Sequence, residues 1–314
     1  MTVLVVGSLA LDNVRTPFGE VKGALGGSCA YASVAASHFA PTAIVGVVGR
    51  DFPEEHLKLF RRRRIDTSGV ESDAKGRTFR WRGYYEYDMN QAHTLETALN
   101  VFATFRPKIP DTLRDAEYVM LGNIDPDLQL EVLEQVRRPK LTMVDTMNYW
   151  IEGKRSQLMK VIKRCDVILL NDAEARMLCD TVNLQVAARQ LLDMGVKRVI
   201  IKKGEHGCLM FSQKDYFAAP AFPLEVVKDP TGAGDTFAGG FIGHVASSLR
   251  LTEATFRQAV VVGTAMASFT VEDFSLNRLS TLKSSEITTR CNRLLEHTRF
   301  KPVRVVDPRA VGNY

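Results

Sequence analysis

Short apolar runs recur along the chain, and each of them ends at a glycine or a polar residue. The first covers residues 3–6 and stops at Gly7, and another covers residues 167–170 and stops at Asn171. Runs of this length that are rich in β-branched residues indicate strands buried on both faces, as in a parallel sheet. Helix-like stretches alternate with the runs from end to end, which predicts the α/β class with a doubly wound, mainly parallel sheet flanked by helices. Further runs of the same kind lie at residues 43–48, 118–121, 141–144 and 199–201.

Between residues 78 and 87 the pattern changes to an alternation of polar and aromatic positions. Arg80 and Arg82 alternate there with Phe79 and Trp81. A period of two indicates a strand whose two faces have different surroundings. The two arginines could meet an anionic group of a substrate, or they could form the solvated face of the strand, which is the more frequent arrangement.

Composition and charge exclude several classes of protein. The 314 residues carry 41 Lys and Arg against 36 Asp and Glu, and the net charge of +5 suits anionic ligands but is too weak to indicate nucleic-acid binding. The basic run at residues 61–64 is interpreted as the solvated end of a helix. The five cysteines and six histidines show no metal-ligand or redox spacing. Since no basic leader and no membrane-length apolar run is present, we expect a cytoplasmic protein without a membrane partner.

The most informative stretch is the glycine-rich segment at residues 226–241. Its first part is small and polar, and its second part, from Asp235 onward, has the pattern of a helix. The N–H groups at a helix start and the helix dipole attract negative charge, so the amides of Gly232, Ala233 and Gly234 are candidate donors to an anion. Asp235 in the first turn is either a simple cap or a base placed beside a phosphoryl group in transfer.

This segment resembles the second signature of the ribokinase-like carbohydrate kinases, the PfkB family, whose core reads Asp-Thr-x-Gly-Ala-Gly-Asp. Residues 229–235 read Asp-Pro-Thr-Gly-Ala-Gly-Asp. The resemblance extends over essentially the whole chain, which implies one ribokinase-like domain over residues 1–314, with a small β lid from about residues 13–24 and 76–95. It also implies ATP-dependent phosphorylation of a primary alcohol, with Asp235 as the general base and the adjoining amides as the anion hole.

The resemblance places the acceptor beside Gly26 and Gly27, a pair that opens a helix of small residues and is followed by Ser28. Asp12 resembles the family's aspartate that accepts hydrogen bonds from substrate hydroxyls, although on position alone it could equally be a turn residue. The family often places an asparagine where this chain has Tyr31, whose ring either stacks on a ligand or simply packs. The candidate substrate-binding residues are Asp12, Gly26, Gly27, Ser28, Asn123 and Asp235, and Asp145 is a further candidate at the edge of the site.

The resemblance places the nucleotide and the metal ions at other strand ends. Asn171 and Glu174 have the spacing of a helix capping box, and the family uses the same pair near Mg²⁺ and the phosphates. Hard Mg²⁺ keeps waters and takes one or two carboxylates, so binding to Glu174 through water is chemically sensible. Asp229 and the loop at residues 270–276 are expected to form a K⁺ site. The candidate cofactor-binding residues are Asn171, Lys202, Gly204, Gly207, Thr231, Gly232 and Gly234.

The expected activity is transfer of the γ-phosphate of ATP to a small-molecule acceptor. A sugar is the first expectation, and a nucleoside or a cyclitol such as inositol is the alternative because of Tyr31 and the aromatic lid strand. The rival from another class is a non-catalytic regulator that binds a nucleotide or a sugar. A nicotinamide oxidoreductase is disfavoured because no Gly-x-Gly-x-x-Gly fingerprint follows the first strand. A homodimer formed through the lid is a further expectation.

Overall fold

A computed structural model describes residues 1–303, and two sheets organise this part of the chain. In chain order the strands are β1 (Val3–Val6), β2 (Ala10–Thr16), β3 (Gly19–Gly26), β4 (Thr42–Gly49), β5 (Asp66–Asp73), β6 (Phe79–Tyr85), β7 (Ala92–Ala98), β8 (Tyr118–Leu121), β9 (Leu141–Asp145), β10 (Val167–Asn171), β11 (Arg198–Lys202), β12 (Cys208–Ser212) and β13 (Tyr216–Ala219). The prediction of one domain over residues 1–314 includes residues 304–314, which lie outside the described residues.

The helices lie mainly between the strands of the larger sheet. They are α1 (Ser28–Ala36), α2 (Glu54–Arg62), α3 (Pro126–Gln135), α4 (Asn148–Gly153), α5 (Arg155–Ile162), α6 (Asp172–Cys179), α7 (Leu184–Asp193), α8 (Ala233–Ser247), α9 (Glu253–Thr270), α10 (Asn277–Thr281) and α11 (Ser284–Thr298). None of the helices in the described part of the chain is long and apolar enough to cross a membrane.

The larger sheet confirms the predicted class, because most of its neighbouring strands run parallel. Its nine strands have the order β13-β12-β11-β10-β9-β8-β1-β4-β5. Only the pairs β11–β12 and β12–β13 are antiparallel. The chain leaves the central strand β1 toward β4 on one side and later returns to β8 on the other. Ligands of such sheets bind beyond the carboxyl ends of the strands, where the strand order reverses.

The core follows from the alternation of side chains along these strands. Val3 and Val5 of β1 pack into the layer formed with α1, α8 and α9. Leu4 and Val6 point to the opposite face and pack with α3, α5, α6 and α7. Both faces of the sheet are therefore covered, which is why its strands are continuous apolar runs rather than alternating ones.

The smaller sheet, which we call the lid, consists of β2, β3, β6 and β7 in the order β3-β2-β6-β7. Strands β2 and β6 run parallel, and each pairs on its other side with an antiparallel neighbour. The lid strands lie within residues 10–26 and 79–98, so they extend slightly beyond the segments predicted from the sequence.

Strands at the edges of the larger sheet have no counterpart among the predicted runs. In β5 only Gly69 is buried, and β5 pairs with β4 alone. The hairpin of β12 and β13 forms the opposite edge. Edge strands are covered on fewer sides and need fewer apolar residues, so the hydrophobic pattern does not reveal them.

The start of α8 is held by close packing of α8 on α1. A Cβ placed on Gly239 of α8 would stand 2.1 Å from the carbonyl oxygen of Ala32 in α1. No side chain fits at that distance, so glycine at this position sets the separation of the two helices.

We expect Gly239→Ala to lower the free energy of unfolding by at least about 2 kcal/mol, because the added methyl group forces the two helices apart. Gly153→Ala is the matched control, since a Cβ on Gly153 meets nothing within 4 Å. Urea unfolding followed by circular dichroism measures both variants. Equal stability of Gly239→Ala and wild type would contradict this account of the packing.

Candidate active site

The glycine-rich segment forms a loop that leads into α8. Gly232 caps the helix with a φ of 75°, a left-handed conformation that favours glycine. The N–H of Ala233 donates to the Pro230 carbonyl at 3.2 Å, and the N–H of Thr236 donates to the Gly232 carbonyl at 2.8 Å. Within residues 1–303 the amides of Gly232 and Gly234 have no such acceptor. These two amides are therefore available to an anion, whereas the amide of Ala233 takes part in the turn.

The ring of Tyr31 lies against this loop. A Cβ on Gly232 would stand 2.4 Å from three ring carbons of Tyr31, so glycine is required there for space as well as for conformation. Tyr31 is 2% exposed. Burial raises its pKa, and the nearby carboxyl groups of Asp229 and Asp12 raise it further. The structure thus shows Tyr31 packed under the loop, and stacking on a ligand stays a prediction.

Asp235 lies in a partly buried cluster with Asp145 and Lys202. The Lys202 Nζ contacts both carboxylate oxygens of Asp145, at 3.0 and 3.2 Å. The same Nζ is 3.0 Å from the position that a Cβ on Gly234 would occupy. Burial raises the pKa of Asp235 above its usual range, Asp145 raises it further, and Lys202 opposes both effects. A carboxyl group in these surroundings is poised to accept a proton near neutral pH.

The Lys202 ammonium stays protonated although removal from water disfavours its charge. Burial alone would lower the pKa of Lys202, but Asp145, Glu174 and Asp235 outweigh that effect and raise the pKa above its ordinary value. The carboxyl groups around Lys202 thus outnumber it three to one. A further cation would therefore be attracted to this end of the site.

Glu174 closes a capping box at the start of α6, as its spacing predicts. Its Oε2 accepts from the amide of Asn171 at 2.7 Å, and Asn171 Oδ1 accepts from the amide of Glu174 at 2.8 Å. Burial raises the pKa of Glu174 to about 7, with Lys202 opposing the shift. The cap explains the position of Glu174, and a role near Mg²⁺ stays a prediction.

Asp12 lies close enough to Asp229 and Asp235 for their charges to act on its carboxyl group. A Cβ on Gly26 would stand 1.8 Å from Asp12 Oδ2, so this glycine makes room for the carboxylate. Asp12 is 5% exposed, and its Oδ1 is buried without a hydrogen-bond partner in the described part of the chain. Burial raises the pKa of Asp12 to about 8, and the charges of Asp229 and Asp235 add to the shift. A buried oxygen without a partner is costly, which points to a ligand that donates to it.

Asp229 connects the glycine-rich loop to the segment that follows α9. Its Oδ1 accepts from the amide of Thr231 at 2.9 Å, and its Oδ2 accepts from the amide of Ser275 at 3.3 Å. The amide of Lys228 also donates to the Val271 carbonyl at 2.8 Å. The structure thus brings Asp229 and the loop at residues 270–276 together, as expected, while K⁺ binding stays a prediction.

Several predicted residues contact protein groups instead of facing an open space. Ser28 is buried, and its hydroxyl lies 3.3 Å from the Ser8 hydroxyl and accepts from the Ser8 amide. Asn123 Oδ1 accepts from Trp150 Nε1 at 3.0 Å. Ser28 thus stabilises the turn before α1, which leaves its predicted contact with the acceptor without support.

The lid arginines also have protein partners. Arg80 pairs with Asp51 at 2.7 Å, and Arg82 pairs with Glu96 at 3.2 Å. Of the two roles considered for these arginines, the structure favours pairing on the lid surface over contact with an anionic substrate.

Two further contacts involve the turn after β11 and the glycine-rich loop. A Cβ on Gly207 would stand 2.0 Å from the Ala219 carbonyl, so the turn from Gly204 to Gly207 packs tightly against the end of β13. Tyr85, at the end of β6, accepts a hydrogen bond from the Thr231 hydroxyl at 3.3 Å. The sequence interpretation assigned Tyr85 no individual role, although the alternation along β6 already separated its face from that of Arg80 and Arg82.

The family described as pfkB family carbohydrate kinase matches residues 4–282. The chain belongs to this family. Its members transfer phosphate to an alcohol, so the chain is a phosphotransferase, and the kinase activity expected from the signature is confirmed at this level.

Several relatives with names show which kinases of the family the chain is similar to. The kinase is 31% identical to a cytidine kinase of Thermococcus kodakarensis, over 77% of this chain and 87% of the relative. It is 26% identical to a nucleoside kinase of Methanothermobacter thermautotrophicus, over 83% of this chain and 82% of the relative. In fold it is similar to the nucleoside kinase of Methanocaldococcus jannaschii, an archaeal member of the ribokinase family, with a TM-score of 0.75 at 18% identity, over 93% of this chain and 98% of that one.

The raised pKa of Asp12 predicts a dependence of stability on pH. The folded state binds this proton more tightly than the unfolded state, so Asp12 stabilises the fold at low pH and loses that contribution as the pH rises to about 8. We expect the free energy of unfolding of wild type to fall relative to that of Asp12→Asn between about pH 5 and about pH 8.

Urea unfolding of both proteins at several pH values measures this difference. Subtracting one pH profile from the other removes the contribution of groups that titrate alike in both proteins. His38 is one such group, because burial lowers its pKa to about 4. If the difference in the free energy of unfolding between the two proteins does not vary with pH, folding does not raise the pKa of Asp12.

Proposed function

We propose that this kinase transfers the γ-phosphoryl group of ATP to the primary hydroxyl of a nucleoside, with Asp235 as the general base. The observation that carries this proposal is the carboxyl group of Asp235 in the first turn of α8, close to the buried Asp12 and beside two available amides. A sugar was the first expectation from the sequence. The nucleoside takes its place because two relatives that match over most of the chain are named cytidine kinase and nucleoside kinase.

Asp235 would take the proton of the acceptor hydroxyl as its oxygen attacks the γ-phosphorus. A base works best when its pKa lies near the working pH, and burial moves Asp235 in that direction. Lys202 limits the shift, which keeps a useful fraction of the carboxyl group ionised. General-base catalysis of this kind contributes about 10²- to 10⁴-fold to the rate.

The amides of Gly232 and Gly234 and the Lys202 ammonium would hold the charge of the phosphates. Amides at a helix start are fixed before the reaction, so they need no reorganisation as charge develops on the oxygens. Thr231 lies in the same loop, with its own amide bonded to Asp229.

The acidic residues around Lys202 fit a divalent cation. Asp145, Glu174 and Asp235 together carry more negative charge than Lys202 can balance. No group of three or more metal-ligating side chains is present within residues 1–303, so phosphate oxygens and water would complete the coordination sphere. Mg²⁺ bound there would neutralise phosphate charge, and Glu174 is the carboxylate that would hold it through water. The carboxylate of Asp229 already accepts two amides, so it orders its loop without an ion.

Asp12 would orient the acceptor. Its unpartnered Oδ1 can accept from a ribose hydroxyl, and the Gly26 backbone leaves space for close approach. A hydroxyl donor at this point would also favour the charged form of Asp12.

The acceptor class is tested by ADP release from ATP and Mg²⁺ over a panel of ribonucleosides, free sugars and inositol. We expect at least one nucleoside to have a kcat/KM about 10-fold or more above that of every free sugar, because a site built to hydrogen-bond its substrate discriminates strongly. A free sugar or inositol as the best acceptor would contradict the nucleoside proposal. ATP binding without transfer to any compound would favour the non-catalytic regulator.

Asp235→Asn tests the proposed base. We expect turnover to fall by at least about 10²-fold with little change in ATP affinity, because the amide cannot accept the proton. Asp193→Asn, at an exposed position of α7, is the matched control and should keep full turnover. Near-normal turnover of Asp235→Asn would exclude Asp235 as the base.

A further inference from the structure

Two residues of the lid contact segments outside it, namely the glycine-rich loop and the turn after β11. The Thr231 hydroxyl, in the glycine-rich loop, donates to the Tyr85 hydroxyl at 3.3 Å. Asn90, in the turn between β6 and β7, places its Oδ1 2.6 Å from the position that a Cβ on Gly204 would occupy. One lid hairpin thus contacts both the loop before α8 and the turn after β11.

The opposite end of the same lid strand is anchored to the larger sheet. Asp51 follows β4, and its carboxylate accepts from the Thr78 amide at 2.7 Å and from Arg80 at 2.7 Å. The Thr78 hydroxyl in turn accepts from the Gly49 amide at 3.0 Å. Strand β6 is therefore anchored to the larger sheet at its start, and its end reaches the glycine-rich loop. The position of that end depends on the contact made by Tyr85.

Tyr85 stands among the acidic groups of the site. Burial raises its pKa, and Asp229, Asp12 and Asp235 raise it further, so its hydroxyl stays protonated. Because Thr231 donates to this oxygen, the Tyr85 proton remains available to another acceptor. The hydroxyl is therefore bonded to the loop and keeps its own proton for a further hydrogen bond near the carboxyl groups of Asp229, Asp12 and Asp235.

We propose that Tyr85 is a positioning residue that couples closure of the lid over the acceptor to placement of the phosphate-binding loop through Thr231. The inference rests on the proposed two-substrate function and deepens it. If closing the lid also orders the loop, the acceptor and ATP must each raise the affinity of the enzyme for the other, by the same factor. Asn90 at Gly204 supports the same closed arrangement.

Tyr85→Phe is the decisive variant, because it removes the hydroxyl and keeps the ring. Tyr84→Phe is the matched control: Tyr84 is the neighbouring residue on the same strand, and its ring stacks on His93 with centroids 4.8 Å apart. Thr231→Val removes the other partner of the hydrogen bond with little change in shape. The double variant of Tyr85 and Thr231 shows whether the two residues act through one contact.

The first measurement uses the free protein and needs no acceptor. Hydrogen exchange by mass spectrometry should show amides of residues 86–91 and those of Asp229 and Thr231 exchanging at least about 3-fold faster in Tyr85→Phe than in wild type, because one hydrogen bond that holds the closed lid is lost. Tyr84→Phe should exchange like wild type. Unchanged exchange in Tyr85→Phe would overturn the proposal whatever the enzyme phosphorylates.

The second measurement is calorimetric binding of a non-hydrolysable ATP analogue with and without the best acceptor from the panel. We expect the acceptor to tighten analogue binding by about 5-fold or more in wild type and in Tyr84→Phe. The factor should fall to about 1 in Tyr85→Phe, in Thr231→Val and in the double variant. An active enzyme whose Tyr85→Phe variant keeps the full factor would overturn the coupling and leave the proposed function standing, whereas inactivity on every nucleoside would overturn the proposed function alone.

Discussion

Five carboxyl groups lie around the start of α8, four of them buried, and the Lys202 ammonium contacts the carboxylate of Asp145. The carboxyl groups of Asp145, Glu174 and Asp235 act on Lys202, while Asp229 and Asp235 repel the carboxylate of Asp12. Burial and mutual repulsion make this arrangement costly without ligands. The helix dipole, the backbone amides and Lys202 reduce that cost, and substrate hydroxyls and a metal ion would reduce it further. The clustered carboxyl groups therefore favour the binding of substrate hydroxyls and of a metal ion.

The sheet explains how these groups meet. Asp145, Asn171 and Lys202 are the last residues of the adjacent strands β9, β10 and β11, and a parallel sheet brings such ends to one edge. Glycines then allow side chains to approach the backbone from outside the sheet. Gly26 makes room for the carboxylate of Asp12, and Gly232 makes room for the ring of Tyr31. Substitution of either glycine would displace the side chain that packs against it.

Much of the fold and part of the site were predictable from the sequence. The continuous apolar runs identified the central strands, and the glycine-rich segment before Asp235 identified the helix start. Local spacing also gave the capping box of Asn171 and Glu174. These features depend on residues close together in the chain, so pattern and capping chemistry suffice to find them.

Other features depend on contacts between distant segments, which spacing does not encode. The hydroxyl of Ser28 bonds to Ser8, and the amide of Ala233 is used inside its own turn. The contact between Tyr85 and Thr231 joins residues 146 positions apart. A period-two pattern predicts a strand with two faces, but only the folded structure shows which face contacts the glycine-rich loop. The choice between a sugar and a nucleoside as the acceptor likewise depends on the shape of the assembled pocket.

The most direct test of the account is a crystal structure of the kinase with its best acceptor, Mg²⁺ and a non-hydrolysable ATP analogue. The account predicts that the primary hydroxyl of the acceptor lies about 2.6–3.2 Å from the carboxylate of Asp235. It also predicts that Asp12 accepts from another acceptor hydroxyl and that the amides of Gly232 and Gly234 face the γ-phosphate. An acceptor whose reactive hydroxyl lies away from Asp235, with another side chain at the attacking oxygen, would contradict the account.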